Sequence, residues 1–253
     1  MKWILIVLAL LTQSCHNEDV QTIPMPKSCH GRPTTIAIID TGFGAGFRGE
    51  EMAKLCKYGH KNFVDDDNSF KFGTKDPVPV DHNGHGTHVA GIIDKYAREA
   101  NINYCLVVIE YYSPKDDSNQ NLQNTVKAIN YAKQIHVDFI NYSSGGLDKS
   151  NEEVMAVKNF LNAGGKFIAA AGNEHTDLSQ RPYYPAMDDS RVIVVGSIKR
   201  DGTIARYSNF GTRVNRWEMG SGVEVFGKYM GGTSQACAIA TGKLVGETKN
   251  FCK

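Results

Sequence analysis

The sequence predicts an α/β fold: a doubly wound, mostly parallel sheet with helices on both faces. Three observations carry that expectation. Apolar runs of strand length alternate with segments whose apolar residues recur at helical spacing, which is the pattern of a buried parallel sheet with crossover helices. Several of those runs end in polar or glycine-rich residues, at the carboxyl ends of strands where such sheets gather ligands and reactive groups. A chain of 253 residues, 41% hydrophobic and 22% charged, suits one domain with one sizeable core.

The elements follow in order. TIAIID, Thr35 to Asp40, reads as a buried strand running into Thr41-Gly42, where the chain must turn. DHNGHGTHVAG, residues 81 to 91, places His82, His85 and His88 at three-residue spacing ahead of small and apolar residues. Tyr104 to Ile109 is the next strand pattern; Leu122, Val126 and Ile129 then share a helical face, and Val137 to Tyr142 is a strand again. Val154, Val157 and Leu161 lie on a helix, followed by strand patterns at Lys166 to Ala171 and Val192 to Val195. GGTSQACAIATG, residues 231 to 242, sets glycines, Thr233 and Ser234 before alanine-rich residues, so that Ser234 opens a buried helix.

Outside this pattern the N-terminus has its own meaning. Lys2 precedes the apolar run Trp3 to Leu11, and small polar residues follow, the layout of a signal peptide over residues 1–15. The run is too short to span a bilayer, which takes roughly 20 residues. An extracytoplasmic protein is expected: secreted, periplasmic or held at the cell envelope. Ser14-Cys15 resembles the end of a lipoprotein cleavage box, with Thr12 where an aliphatic residue is usual. Lipid on Cys15 and simple release are both open. Residues 16–33, with three prolines and no periodicity, read as a tether, and 34–253 as the folded domain.

Lys plus Arg (28) nearly balances Asp plus Glu (27). No field favours nucleic acid, and partners are sought in a site on a monomer. Six cysteines in an exported chain permit disulfides. Cys105, in CLVVI, and Cys237, among alanines, read as small buried hydrophobes; Cys29, Cys56 and Cys252 are the expected bridge members.

Each reactive candidate also has a bland reading. Ser234 could cap its helix, Asp40 or Asn173 could serve a turn, and the three histidines could be a polar turn that merely begins a helix, their sharper readings being a metal cluster or one base with two bystanders. Gly84 and Gly86 are poor supports for rigid metal ligands, and no HExxH or paired-cysteine pattern accompanies them. No metal or cofactor is expected. Taken together, IIDTGF, HGTHVAG, AAAGNE and GTSQA, with lesser matches at NYSSGG, YYPA and SNFG, resemble the subtilisin-like serine proteases, the subtilases of peptidase family S8.

The resemblance runs from about Thr35 to Gly242 and gives the residues roles. Ser234 would be the nucleophile, too weak as a neutral hydroxyl without a base; His85 would be that base, and Asp40 would orient and stabilise its imidazole. The side-chain amide of Asn173 and the backbone N–H of Ser234 would form an oxyanion hole. His88 matches an internal packing position, and His82 a loop. Ser143, Ser144, Gly145 and Gly146 resemble an edge that receives an extended peptide by strand addition. Ala170, Ala171, Gly145 and Gly146 would leave room for a large apolar side chain, or simply allow tight packing, and Glu174 at the rim would tolerate a basic one.

The chain also departs from the family pattern. Residues 16–33 are too few for a folded pro-segment, so folding is expected to proceed unaided or with help in trans; only 19 residues follow Ser234, making the domain minimal or shortened. Ala238 stands where a proline is usual, and the helix is expected to survive this. Gly91 to Tyr104 is too short for the calcium loop of many relatives. The expected function is an exported serine endopeptidase working through an acyl-enzyme; the alternative is a catalytically silent peptide-binding protein on the same fold.

Overall fold

The computed structural model describes residues 32–44, 53–64, 69–71 and 73–248. The signal segment, nearly all of the tether, and Cys15, Cys29 and Cys252 lie outside the described residues. In chain order the elements begin β1 (Thr34–Asp40), β2 (Lys61–Asn62), β3 (Ser69–Phe70), β4 (Val78–Pro79), α1 (His85–Glu99), β5 (Tyr104–Glu110) and α2 (Ser118–Gln134). There follow β6 (Phe139–Tyr142), α3 (Asn151–Asn162), β7 (Lys166–Ala170), β8 (Ile193–Ile198), β9 (Arg216–Met219), β10 (Val223–Val225), β11 (Lys228–Met230) and α4 (Thr233–Glu247).

Seven strands form one sheet in the order β2-β5-β1-β6-β7-β8-β9, with every neighbouring pair parallel. β10–β11 and β3–β4 are separate antiparallel pairs. The expected doubly wound sheet is present, and alternation along β1 shows why. Ile36 and Ile38 point into a core shared with α1 and α4, whereas Ala37 and Ile39 point into a second core beneath α2 and α3. Each of these isoleucines is fully buried and contributes roughly 2 kcal/mol relative to exposure.

The chain passes from β1 outward to β5 and then returns to the other side of β1 as β6. That reversal opens a crevice at the carboxyl ends of β1 and β6, the switch point of such sheets. Across it, α1 and α4 run side by side in the same direction. A side chain on Gly242 would crowd Tyr96 Cβ at 2.7 Å and the Ile93 carbonyl at 3.0 Å, and one on Gly246 would crowd Ala100 Cβ at 2.6 Å. Ile93 and Gly242 each lie eight residues beyond His85 and Ser234, so this close packing brings the two N-termini to the same end. Ala238 sits inside an unbroken α4, as its helix propensity requires.

Two sequence readings need correction, and one strand was not foreseen. Cys105 is not a packed thiol: it bridges to Cys56, with Cα atoms 4.8 Å apart, because Leu55 pairs alongside Leu106 and carries its neighbour to the strand. Cys56 was an expected bridge member, and Cys237 is free and buried as expected. On α2 the buried stripe is Asn124, Thr125, Ala128, Ile129 and Ala132, so Leu122 and Val126 sit at its margin, half-buried. β9 extends the sheet by one strand from RWEM, a stretch without an apolar run.

Candidate active site

Asp40 ends β1 and is 2% exposed. Its Oδ1 accepts from the Thr41 N–H at 2.8 Å and pairs with His85 Nδ1 at 2.7 Å; its Oδ2 is buried with no partner among the described residues. His85, 45 residues on in sequence, is the first residue of α1. The pair can form because residue 86 is glycine: a Cβ there would overlap the Gly42 carbonyl oxygen and press on Asp40 Cβ at 3.2 Å. Gly42 itself turns with φ +102°, a conformation open to glycine.

The helix start is tied to the strand end by Asp81, 1% exposed. Its Oδ1 accepts from Thr41 Oγ1 and from the N–H groups of Asn83 and Gly84; its Oδ2 accepts from the N–H and Oγ1 of Thr87. This carboxylate satisfies the orphan donors of the first turn of α1 and balances the helix dipole there. The neighbouring Asp40 charge raises the His85 pKa above its ordinary value; burial opposes this, while the hydrogen bond to Asp40 and the Asp81 charge reinforce it. His88 is buried on the same helix and its Nε2 lies 3.2 Å from the carbonyls of Val223 and Lys228. His82 is exposed in the preceding bend. The three histidines therefore point to different surroundings.

Ser234 is the second residue of α4. It is not the cap: the N-cap position is Gly232, and no side chain caps there. Its Oγ donates to the Ser143 carbonyl at 2.7 Å, and Ser143 Oγ donates back to the Ser234 carbonyl at 3.0 Å. Among the described residues, no hydrogen bond joins Ser234 Oγ to His85. One rotation about the serine Cα–Cβ bond releases the hydroxyl from Ser143. Cys237, one turn further on, is no rival nucleophile, since burial pushes its thiol up to about 12.

Asn173 follows β7. Its Oδ1 accepts from the N–H and Oγ1 of Thr233 at 2.9 and 3.1 Å, and its Nδ2 makes no hydrogen bond among the described residues, beside the first turn of α4. The loop is shaped by Asn209, fully buried. Its Nδ2 donates to the Ala171 carbonyl and to Glu174 Oε2, and its Oδ1 accepts from the N–H groups of Glu174 and Thr176. Glu174 is thus turned onto Asn209 at 2.7 Å. Ala170 and Ala171 are buried in the two cores.

On the edge segment, Gly146 pairs with Tyr184 through both backbone groups, and Ser144 Oγ accepts from Tyr111 at 2.7 Å. A side chain on Gly145 would overlap Tyr183 and the Tyr184 carbonyl, so this approach needs glycine. Sequence reasoning assigned no role to Asp81 or Asn209. Asp81 three places before Gly84 at a helix start was a usable signal; Asn209 lies in SNFG, a stretch that shares the family resemblance but does not show which groups its side chain meets.

A parallel sheet with an acid–imidazole pair at its switch point, and a serine near the start of the neighbouring helix, fits a hydrolase of the serine type. The comparisons place it further. The sequence model of the subtilase family matches residues 31–246. The chain is 30% identical to the major intracellular serine protease of Bacillus subtilis (strain 168) over 244 residues, 90% of this chain and 73% of that protein. It is 30% identical to subtilisin DY of Bacillus licheniformis, covering 84% and 75%. In structure it is similar to an epidermin leader peptide processing serine protease from Staphylococcus aureus, with TM-score 0.69, 23% identity and 90% and 67% coverage. The chain belongs to the subtilase family; it is a serine-type endopeptidase, and its substrates are proteins or peptides.

Proposed function

We propose that the chain cleaves peptide bonds through an acyl-enzyme formed on Ser234. Ser234 Oγ attacks the scissile carbonyl carbon while its proton passes to His85 Nε2; the protonated imidazole then gives that proton to the departing amine. Water repeats the cycle against the acyl-enzyme, with His85 again as base. Asp40 holds the Nδ1–H tautomer and stabilises the imidazolium. The developing oxyanion accepts from Asn173 Nδ2 and the Ser234 N–H. The peptide lies along Ser143, Ser144, Gly145 and Gly146, where the backbone groups of Ser144 and Gly145 make no hydrogen bond among the described residues.

The observation that carries this reading is the 2.7 Å Asp40–His85 pair at the end of α1 that lies beside the start of α4. A fluorophosphonate probe tests it. Labelling of the purified chain that disappears in Ser234→Ala supports the enzyme, and a folded chain that takes no label supports the silent peptide binder.

Export of a monomer is part of the proposal. Export is supported by the Lys2 and Trp3 to Leu11 layout and by the Cys56–Cys105 disulfide, a bond that persists in oxidising compartments. Among the described residues no helix is long and apolar enough to cross a membrane. Mass spectrometry of the mature N-terminus should find residues 1–14 removed and reads whether Cys15 carries lipid; an intact Met1 contradicts export.

A further inference from the structure

A cavity of about 230 Å³ opens beside the edge segment, with Ser144, Gly145 and Gly146 on its border and Tyr111, Tyr142 and Glu153 among its walls. It is also a place where a charge-bearing group is buried without a partner. Glu153 lies in the first turn of α3, where Ser150 Oγ accepts its N–H at 3.3 Å. Its side chain is only 3% exposed and its carboxyl group hydrogen-bonds nothing among the described residues. Buried carboxyls are costly when unpaired, and an apolar residue here would have extended the core formed by Ala156 and Val157.

The hydroxyl and amide side chains of Tyr111, Thr125, Tyr142 and Asn121 are already satisfied. Tyr111 donates to Ser144, Thr125 Oγ1 bonds the Tyr142 hydroxyl and the Asn121 carbonyl, and the Asn121 side chain is held by the 113–116 turn. Behind Glu153 sits Asp188, 8% exposed, with both oxygens also lacking partners among the described residues. Lys149 and Lys158 draw the Asp188 pKa down against its burial, and the Asp188 charge in turn raises the Glu153 carboxyl.

We propose that this pocket receives a lysine or arginine side chain of the bound peptide, with Glu153 as its charge partner. The proposal deepens the endopeptidase reading and rests on it for the path of the peptide. Tyrosine walls suit the aliphatic stem and the cation of such a residue. The Glu153 carboxylate then accepts a charge-assisted hydrogen bond, and exposed Asp148 at the mouth adds attraction. In the empty pocket, burial and Asp188 hold the Glu153 carboxyl at about 8. Of the other titratable groups facing it, Asp188 is held by burial at about 7, whereas Tyr111 and Tyr142 stay neutral because burial raises both above the ordinary tyrosine value. The preference for a basic residue therefore grows as pH rises through that range.

The test uses the full chain carrying Ser234→Ala, so that peptides bind without being cut. Hexapeptides of alanine and norleucine, with one lysine moved through the positions, are titrated by fluorescence anisotropy at pH 6.5 and 9. At one position lysine should bind about tenfold more tightly than norleucine at pH 9, and less so at pH 6.5. Adding Glu153→Gln should abolish the difference, and Glu153→Leu should reverse it, which guards against misfolding of either variant. Equal affinity at every position, a lysine preference that survives both substitutions, or no binding of any peptide overturns the pocket. Fluorophosphonate labelling of the parent chain reports separately: label without lysine preference overturns the pocket alone, and lysine preference without label overturns acyl transfer alone.

Discussion

At the scale of single residues, the candidate site holds Ser234, legible at the start of an alanine-rich helix, three further groups that were legible, and two that were not. Asp40, His85 and Asn173 stood out because a polar residue at the end of an apolar strand, or between glycines, needs a reason. Asp81 and Asn209 are satisfied by donors that only the folded chain supplies, the latter from a loop that its own sequence does not bring near. Replacing Asn173 by alanine should lower kcat about 100- to 1,000-fold with little change in KM, measured on a peptide anilide; an equal loss in a variant with KM raised instead would mean a binding role. The Asp40–His85 pair gives a pH prediction whose sign is fixed. Catalysis needs neutral imidazole, and Asp40 raises the pKa of His85, so the ascending limb of kcat/KM lies above the ordinary histidine value. Asp40→Asn should move that limb to lower pH and cut kcat by about 10,000-fold. The same pair stabilises the fold fully below the unfolded histidine value, and that contribution is lost as pH rises through the folded one.

At the scale of elements, helix starts matter more than helix bodies. α1 and α4 deliver His85 and Ser234 to one end because glycines let them approach each other and the sheet. The start of α1 depends on Asp81, which accepts five hydrogen bonds. Asp81→Ala should destabilise the chain by about 3 kcal/mol and lower activity through misplacement of His85, read by thermal unfolding beside kcat; full activity in the variant would remove Asp81 from the positioning argument. The helical face of α2 was only partly legible. Its buried positions include Asn124 and Thr125, and polar residues satisfied by neighbours do not register in an apolar periodicity. Glu153 in α3 has the same character. Its carboxyl is raised to about 8, so the folded state holds a proton that the unfolded chain releases, and stability falls as pH climbs from the ordinary glutamate value through 8. Glu153→Gln should therefore raise Tm at pH 9 relative to the parent; a Tm difference constant between pH 4 and pH 9 contradicts that burial.

At the scale of the whole molecule, strand alternation with helices predicted the doubly wound sheet, since strands buried on both faces must be apolar throughout. Short elements such as β2, β10 and β11 carry too few residues to show a period. The Cys56–Cys105 bridge was half legible: Cys105 in an apolar strand reads as any small hydrophobe until the 53–56 segment pairs beside it. The bridge closes a loop with a sequence separation of 49, and its removal in Cys56→Ser with Cys105→Ser should cost about 4 kcal/mol, visible as a lower urea midpoint. An unchanged midpoint would place the stability of this edge of the sheet elsewhere. The same loss should follow reduction of the parent chain, whereas buried Cys237 should stay unmodified by alkylating reagents until the chain unfolds.

The most direct test of the account is the structure of the chain after reaction with a fluorophosphonate. The account predicts one phosphonyl group on Ser234 Oγ, its oxygen within hydrogen-bonding distance of Asn173 Nδ2 and the Ser234 N–H, His85 still paired to Asp40, and the Ser143 carbonyl released. A modified residue other than Ser234, or an unreacted Ser234 still donating to Ser143 in an otherwise intact site, would contradict it.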